Sequence, residues 1–334
     1  MGGLFLRKGV VLSLVVVLLI GILTAGCSNQ NAQNTDANGE NISFPEGPVT
    51  LIAWGSPGGG SDIFARTLAK ASEPILGKPV VVENKPGGGG ATAMAYLESQ
   101  KPDGYTVLAV TTNLVLTPLT KDTPNTYEDF DPIIMIGRDA TMTAVKANGE
   151  ITNLEDLIAL GKERSIKWGT FGVGTTDHIA AALLAEQTGI KVDFMPFEGG
   201  GEALAALLGG HIDVINGNPS EIADQIKAEQ LAGIGVFSPE RLADFGDVPT
   251  YKEKGYDIVV ETWRGIIAPK GTPDQVKNIL FEAFKEALDD EAMKDYYKKN
   301  NIIKDVKNGD EFYKFIEKEN NFYKEVLTRM GLIK

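Results

Sequence analysis

The chain has 334 residues, one cysteine, two histidines, 43% hydrophobic residues and a formal net charge of −13. At roughly 150 residues per domain the length suggests about two domains, and the apolar content excludes wholesale disorder. One cysteine excludes an internal disulfide and cysteine-rich zinc sites, two histidines leave little room for a His-rich metal centre, and the acidic balance argues against nucleic acid.

Arg7 and Lys8 precede an apolar run from Val10 to Leu23. That run is shorter than the roughly 20 residues that span a membrane and fits the hydrophobic part of a secretory signal. It ends in Leu23-Thr24-Ala25-Gly26-Cys27, which resembles a bacterial lipobox and implies lipid attachment at Cys27 after removal of residues 1–26. Cleavage would leave 308 residues and a side-chain charge of −15, with no free thiol for catalysis. Residues 27–44 are rich in Asn, Gln, Ser, Thr and Gly and read as a flexible tether.

The body alternates strand and helix patterns. Val49–Trp54 reads as a strand, Ser56–Ser61 as a glycine-rich loop and Asp62–Leu76 as a helix stopped by Gly77. A strand at Pro79–Glu83, a loop at Pro86–Gly90, a helix at Ala91–Gln100 and a strand at Tyr105–Thr111 follow. The pattern then restarts, with short strands at Ile133–Ile136 and Thr143–Val145 and a helix at Leu154–Lys162. Strand Ile166–Gly169, loop Thr170–Thr176, helix Asp177–Gln187, strand Val192–Phe197, a glycine cluster at Gly199–Gly201, helix Glu202–Leu208 and strand Ile212–Ile215 form a second unit. Amphipathic helices at Asp274–Leu288 and Asp310–Met330 close the chain. Strands separated by helices favour parallel sheets with right-handed crossovers.

The informative feature is a repeated device. Gly58-Gly59-Gly60-Ser61-Asp62, and later Gly172-Val173-Gly174-Thr175-Thr176-Asp177, each link a strand to a helix. Glycines let backbone amides approach a ligand, and the first amides of a helix lack internal partners at the positive end of its dipole. Such starts favour carboxylate or phosphate, and Ser61, Thr175 and Thr176 add hydroxyls. Each loop alone is equally compatible with a tight turn. Asp62 and Asp177 read either as caps of helix amides or as ligand contacts. His178 and His211 read as a locally bonded helix-start residue and a turn residue. No Gly-x-Ser-x-Gly elbow, phosphate-loop ending, His-Glu-x-x-His or G-x-G-x-x-G spacing is present, so no catalytic residue, metal or cofactor is assigned and an enzyme is not expected.

Gly58-Gly59-Gly60-Ser61-Asp62 with Arg66, Pro79–Gly87, Pro102-Asp103-Gly104-Tyr105-Thr106, Gly174–His178, Leu207–Asp213, Asp247-Val248-Pro249-Thr250, Trp263-Arg264-Gly265 and Ala268–Pro273 resemble, in order, the substrate-binding proteins of tripartite tricarboxylate transporters, the Bug family. The resemblance implies an α/β, two-domain periplasmic-binding-protein-like fold of type II, the Venus flytrap, each domain a mainly parallel sheet flanked by helices. It implies domain 1 at 45–146 plus 263–334 and domain 2 at 147–262. It implies a solute-binding protein, extracytoplasmic and lipid-anchored to the cell membrane, that delivers a small carboxylate (di- or tricarboxylate, or amino acid) to membrane permease subunits. A monomer without nucleic acid is expected. The alternatives are a ligand-presenting sensor component for a membrane receptor or a secreted enzyme. The ligand-binding residues implied are Ser56, Gly58, Gly59, Gly60, Ser61, Asp62, Gly172, Gly174, Thr175, Thr176, Asp177, Asn216 and Trp263. Arg66 reads as structural, and Arg264 either as a partner for a distal carboxylate or as an interdomain ion pair. Trp54-Gly55 stands where the family often has Pro-Phe, and Asp177 where it has a hydroxyl; the latter adds negative charge that would either disfavour highly charged ligands or suit a ligand carrying an ammonium.

Overall fold

The computed structural model describes residues 42–170, 172–197 and 200–334. The signal segment, Cys27 and most of the expected tether lie outside the described residues, as do Phe171, Glu198 and Gly199. The first unit is β1 (Val49–Ala53), α1 (Gly60–Leu76), β2 (Val80–Asn84), α2 (Ala91–Glu98) and β3 (Thr106–Thr111). Helix α3 (Asn113–Thr120) follows, then strand β4 (Phe130–Ala140). The chain continues through β5 (Met142–Lys146), α4 (Leu154–Glu163), β6 (Ile166–Thr170), α5 (Thr176–Thr188), β7 (Val192–Pro196), α6 (Gly200–Leu208), β8 (Val214–Gly217), α7 (Pro219–Lys227) and β9 (Leu231–Val236). It returns through β10 (Glu261–Pro269), α8 (Asp274–Ala287), α9 (Glu291–Asn300), β11 (Ile302–Asn308) and α10 (Gly309–Arg329).

Two sheets result, ordered β11-β4-β10-β3-β1-β2 and β7-β6-β8-β5-β9. In each, the first strand of a βαβαβ unit sits between the second and third, all parallel, so β2-β1-β3 corresponds to β7-β6-β8. The parallel expectation holds for those halves only. Strands β4, β10 and β11 in the first sheet, and β5 and β9 in the second, pair antiparallel. No helix intervenes between β4 and β5, which lie in different sheets. The chain changes sheet at Thr141. Strand β5, assigned from sequence to the span 45–146, pairs in the second sheet because its partners are β8 and β9.

Helices α1 and α5 end alike. Gly77 and Gly189 take left-handed backbone at φ 66° and 70° and donate to Glu73 O and Ala185 O, which satisfies orphan carbonyls without the strain a side chain would add. Phe64 and Leu68 of α1 and Ile179, Leu183 and Leu184 of α5 are buried, which fixes the direction of each helix start.

Candidate functional site

The loops after β1 and β6 enter their helices with the same backbone. Gly58 and Gly174 lie at φ 79° and 78°, and the following N-cap residues, Gly59 and Thr175, at φ −78°, ψ 168° and φ −80°, ψ 164°. Neither N-cap residue makes a side-chain cap hydrogen bond. Each loop is instead closed from behind by the residue four positions on. The Gly58 amide donates to Asp62 Oδ2 at 2.9 Å, and the Gly174 amide to His178 Nδ1 at 2.9 Å. Asp62 is thus the counterpart of His178, and Ser61 that of Asp177. The first helix amides, those of Gly60 and Thr176, open the helices in matching positions with no cap from the N-cap side chain, an arrangement suited to an anion.

Asp62 is committed to this scaffold. Its carboxylate also accepts from Arg66 Nε at 3.0 Å and Asn84 Nδ2 at 2.8 Å. The Arg66 hydrogen bond, chiefly, holds its pKa down at about 2. Arg66 also donates to Asn84 Oδ1, so it braces the loop, as its structural reading expects. His178 is buried edge-on against Phe194, and burial lowers its pKa, so the ring is neutral near pH 7 and Nδ1 is free to accept. Ser56, Gly58, Gly59 and Gly60 are exposed. Ser61 is buried, and its Oγ stands 2.3 Å from where a Cβ at Gly55 would be, so only glycine fits at 55 without movement. Gly172 O accepts from Thr175 Oγ1 at 2.9 Å.

The fold brings both loops to one edge of the first sheet. Strands β1 and β3 are parallel, and Arg264 of β10 pairs with Thr111 at the end of β3. Thr176 Oγ1 lies 3.4 Å from Thr262 Oγ1, beside that pair. A Cβ at Gly174 would lie 3.0 Å from Thr120 Cγ2, at the end of α3, while Thr117 Oγ1 of the same helix donates to Gly89 O at 2.8 Å. Helix α3 therefore links the second loop to the Gly87–Gly90 turn, and Lys121 Nζ sits beside Gly89. Trp54 is half-buried at this edge, packed on the core beneath Gly90.

Two sequence-implied residues sit behind the edge. Asn216 is fully buried: Nδ2 donates to Asp177 O at 2.9 Å, and Oδ1 accepts from Thr143 Oγ1 at 2.8 Å, which in turn accepts from Tyr251 Oη. It positions the second helix start. Trp263 is 1% exposed, its ring enclosed by Phe312 and Phe315 of α10. Strand alternation turns it away from the neighbour, Thr262, that meets Thr176. Sequence reasoning missed Thr262 and Thr112, whose Oγ1 accepts from the Trp263 amide at 3.2 Å; the alternation of β10 was the available signal for Thr262. Arg264, largely buried, pairs with the buried Asp139 of β4, and Phe64 lies under its guanidinium at 5.7 Å. That pair joins two strands of the first sheet, so Arg264 has a partner within the sheet. Asp177 is buried, and Glu221 lies within electrostatic reach of Asp177, Asp139 and Arg264.

The model of the tripartite tricarboxylate transporter family receptor matches residues 64–332. The chain belongs to this receptor family. A protein encoded in the gbd 5′ region of Cupriavidus necator is 32% identical over 294 residues, 87% of this chain and 90% of that one. Protein BugT of Bordetella pertussis is 29% identical over 287 residues, covering 84% and 86%. Among solved structures, a ligand-free TctC solute-binding protein from Polaromonas is 33% identical with a TM-score of 0.78, over 86% of this chain and 100% of that one. The adipate-bound Rpa4515 protein of R. palustris shares the fold at 23% identity and a TM-score of 0.76, over 86% and 98%. The receptor family's fold is thus built here on two sheets whose amide-bearing loops meet at one edge.

Proposed function

We propose that this receptor is an extracytoplasmic solute-binding protein, lipid-anchored through Cys27, that holds a small carboxylate between two domains built on the two sheets and delivers it to tripartite tricarboxylate transporter permease subunits. One observation carries the binding step: two helix starts of the same backbone geometry, neither with a side-chain cap from its N-cap residue and each braced from behind by Asp62 or His178. Amides so placed donate to a carboxylate without a matching positive side chain, which suits a chain of net charge −13. The adipate bound to the structural neighbour supports the ligand class. Lys121, beside Gly89, supplies a cation near the same edge. Closure follows if the ligand bridges amides of both halves and therefore binds the shut form better. Native mass spectrometry of the protein purified from its source tests the reading. A co-purified carboxylate, released on unfolding, is expected; a neutral or cationic solute in its place would refute it.

A further inference from the structure

The strands that connect the sheets border a second cavity, of about 270 Å³, walled by Arg138 of β4, Glu261 and Trp263 of β10, and Phe315, Glu319 and Phe322 of α10. It lies on the opposite face of β10 from Thr262 and Arg264, and hence away from the loops. Its charges are unevenly matched. Glu261 is 7% exposed and its Oε2 accepts from Arg138 Nη1, while its Oε1 is buried with no hydrogen-bond partner among the described residues. Arg138 is shared with Asp305 at 3.0 Å, and Lys307 pairs with Asp305 as well. Glu319 has no ion pair among the described residues; Lys318, next to it in the chain, is an exposed rim residue. The Trp263 indole N–H approaches Glu319 without hydrogen-bond geometry, and the Tyr323 hydroxyl also faces it. Burial, reinforced by the charge of Glu261, pushes Glu319 up to about 7.

The chamber therefore holds one carboxylate outside any ion pair among the described residues, with Lys318 acting on it only through charge, a second with an unused oxygen, and three aromatic walls, of which Phe315 already carries Lys307 Nζ over its ring at 5.4 Å. A compact cation with N–H donors and an apolar body satisfies all of these, through charge-assisted hydrogen bonds and cation–π contact. Among the described residues no group of three ligating side chains stands together for a metal ion. We propose that this cavity binds a small organic cation, a protonated primary amine with a short hydrocarbon body, between Glu261 and Glu319.

Calorimetric titration of the full-length protein with n-butylammonium, and with 1-butanol as the uncharged control, tests it. Butylammonium is expected to bind and butanol not. Affinity should rise about tenfold from pH 6 to pH 8, because the cation needs Glu319 ionised. Glu319→Gln should weaken binding at least tenfold and remove the pH dependence, and Phe322→Ala should weaken it with the pH dependence retained. Carboxylate binding at the loops should be unchanged in Glu319→Gln, which separates this proposal from the receptor reading. No butylammonium binding at pH 8, equal binding of butanol, undiminished binding in Glu319→Gln, or loss of carboxylate binding in that variant would each overturn it.

Discussion

Three glycine-to-alanine substitutions in the loops should rank in a definite order. Gly58 sits at φ 79°, and a Cβ there meets nothing within 4 Å, so Gly58→Ala incurs only the left-handed backbone penalty, about 1–2 kcal/mol. Gly174 has the same conformation at φ 78°, but its Cβ would stand 3.0 Å from Thr120 Cγ2. Gly174→Ala adds a packing clash and should cost about 2–3 kcal/mol. Gly60 opens α1 with no left-handed φ and open space around a Cβ, so Gly60→Ala should be neutral or slightly stabilising. Urea denaturation followed by circular dichroism measures all three. At roughly 2 °C per kcal/mol for a chain of this size, melting temperature gives the same ranking. The reasoning is refuted if Gly60→Ala is as damaging as Gly58→Ala, or if Gly174→Ala is milder than Gly58→Ala.

Acid should loosen the two loops in sequence. His178 has a lowered pKa, so its contribution is full above the ordinary value near 6.5 and is lost as pH falls and the ring is forced to charge; Asp62, held at about 2, loses its contribution between about pH 4 and 2. Hydrogen exchange of the Gly174 amide should therefore accelerate at a higher pH than that of Gly58. Asp62→Asn should cost at most about 2 kcal/mol at pH 7, less the screening at half-exposed Arg66, and nothing near pH 2; an unchanged difference across that range would contradict the assigned role. Asp139→Asn leaves Arg264 buried without its counter-charge and should cost about 3–5 kcal/mol in urea titration, whereas Asp139→Leu with Arg264→Met should recover much of the loss; a cost under 1 kcal/mol for Asp139→Asn would mean that the pair does not form.

The βαβαβ halves were legible because period and punctuation agree: Gly77 and Gly189 stop helices that their apolar spacing defines, and the glycine clusters open them. Helix α3 was missed because Pro118 interrupts its pattern, and α9 because its residues are mostly charged or polar. Strand β9, with two glycines, and β11, largely polar and at the sheet edge, offer little alternation. At the site, sequence located both loops without setting their residue-by-residue correspondence. Asp62 and Asp177 look equivalent as acidic residues near helix starts, yet the hydrogen bonds equate Asp62 with His178. A carboxylate and a neutral imidazole perform one task, accepting an amide four residues back, and residue type alone does not reveal that. The resemblance implies Asn216 as a ligand contact; only the packing of β8 under α5 shows that its amide is spent on Thr143 and Asp177.

The central claim is that backbone amides at the two helix starts hold a carboxylate, and replacing those amides tests it most directly. Proline at the first helical position removes one N–H and is tolerated there, and the extended backbone of Gly59 and Thr175 suits a residue preceding proline. Titration of a carboxylate panel including adipate into wild type, Gly60→Pro and Thr176→Pro should show binding in wild type. Each variant should lose at least tenfold in affinity, as expected for one charge-assisted hydrogen bond, with the urea midpoint retained. Full affinity in both variants would contradict the account.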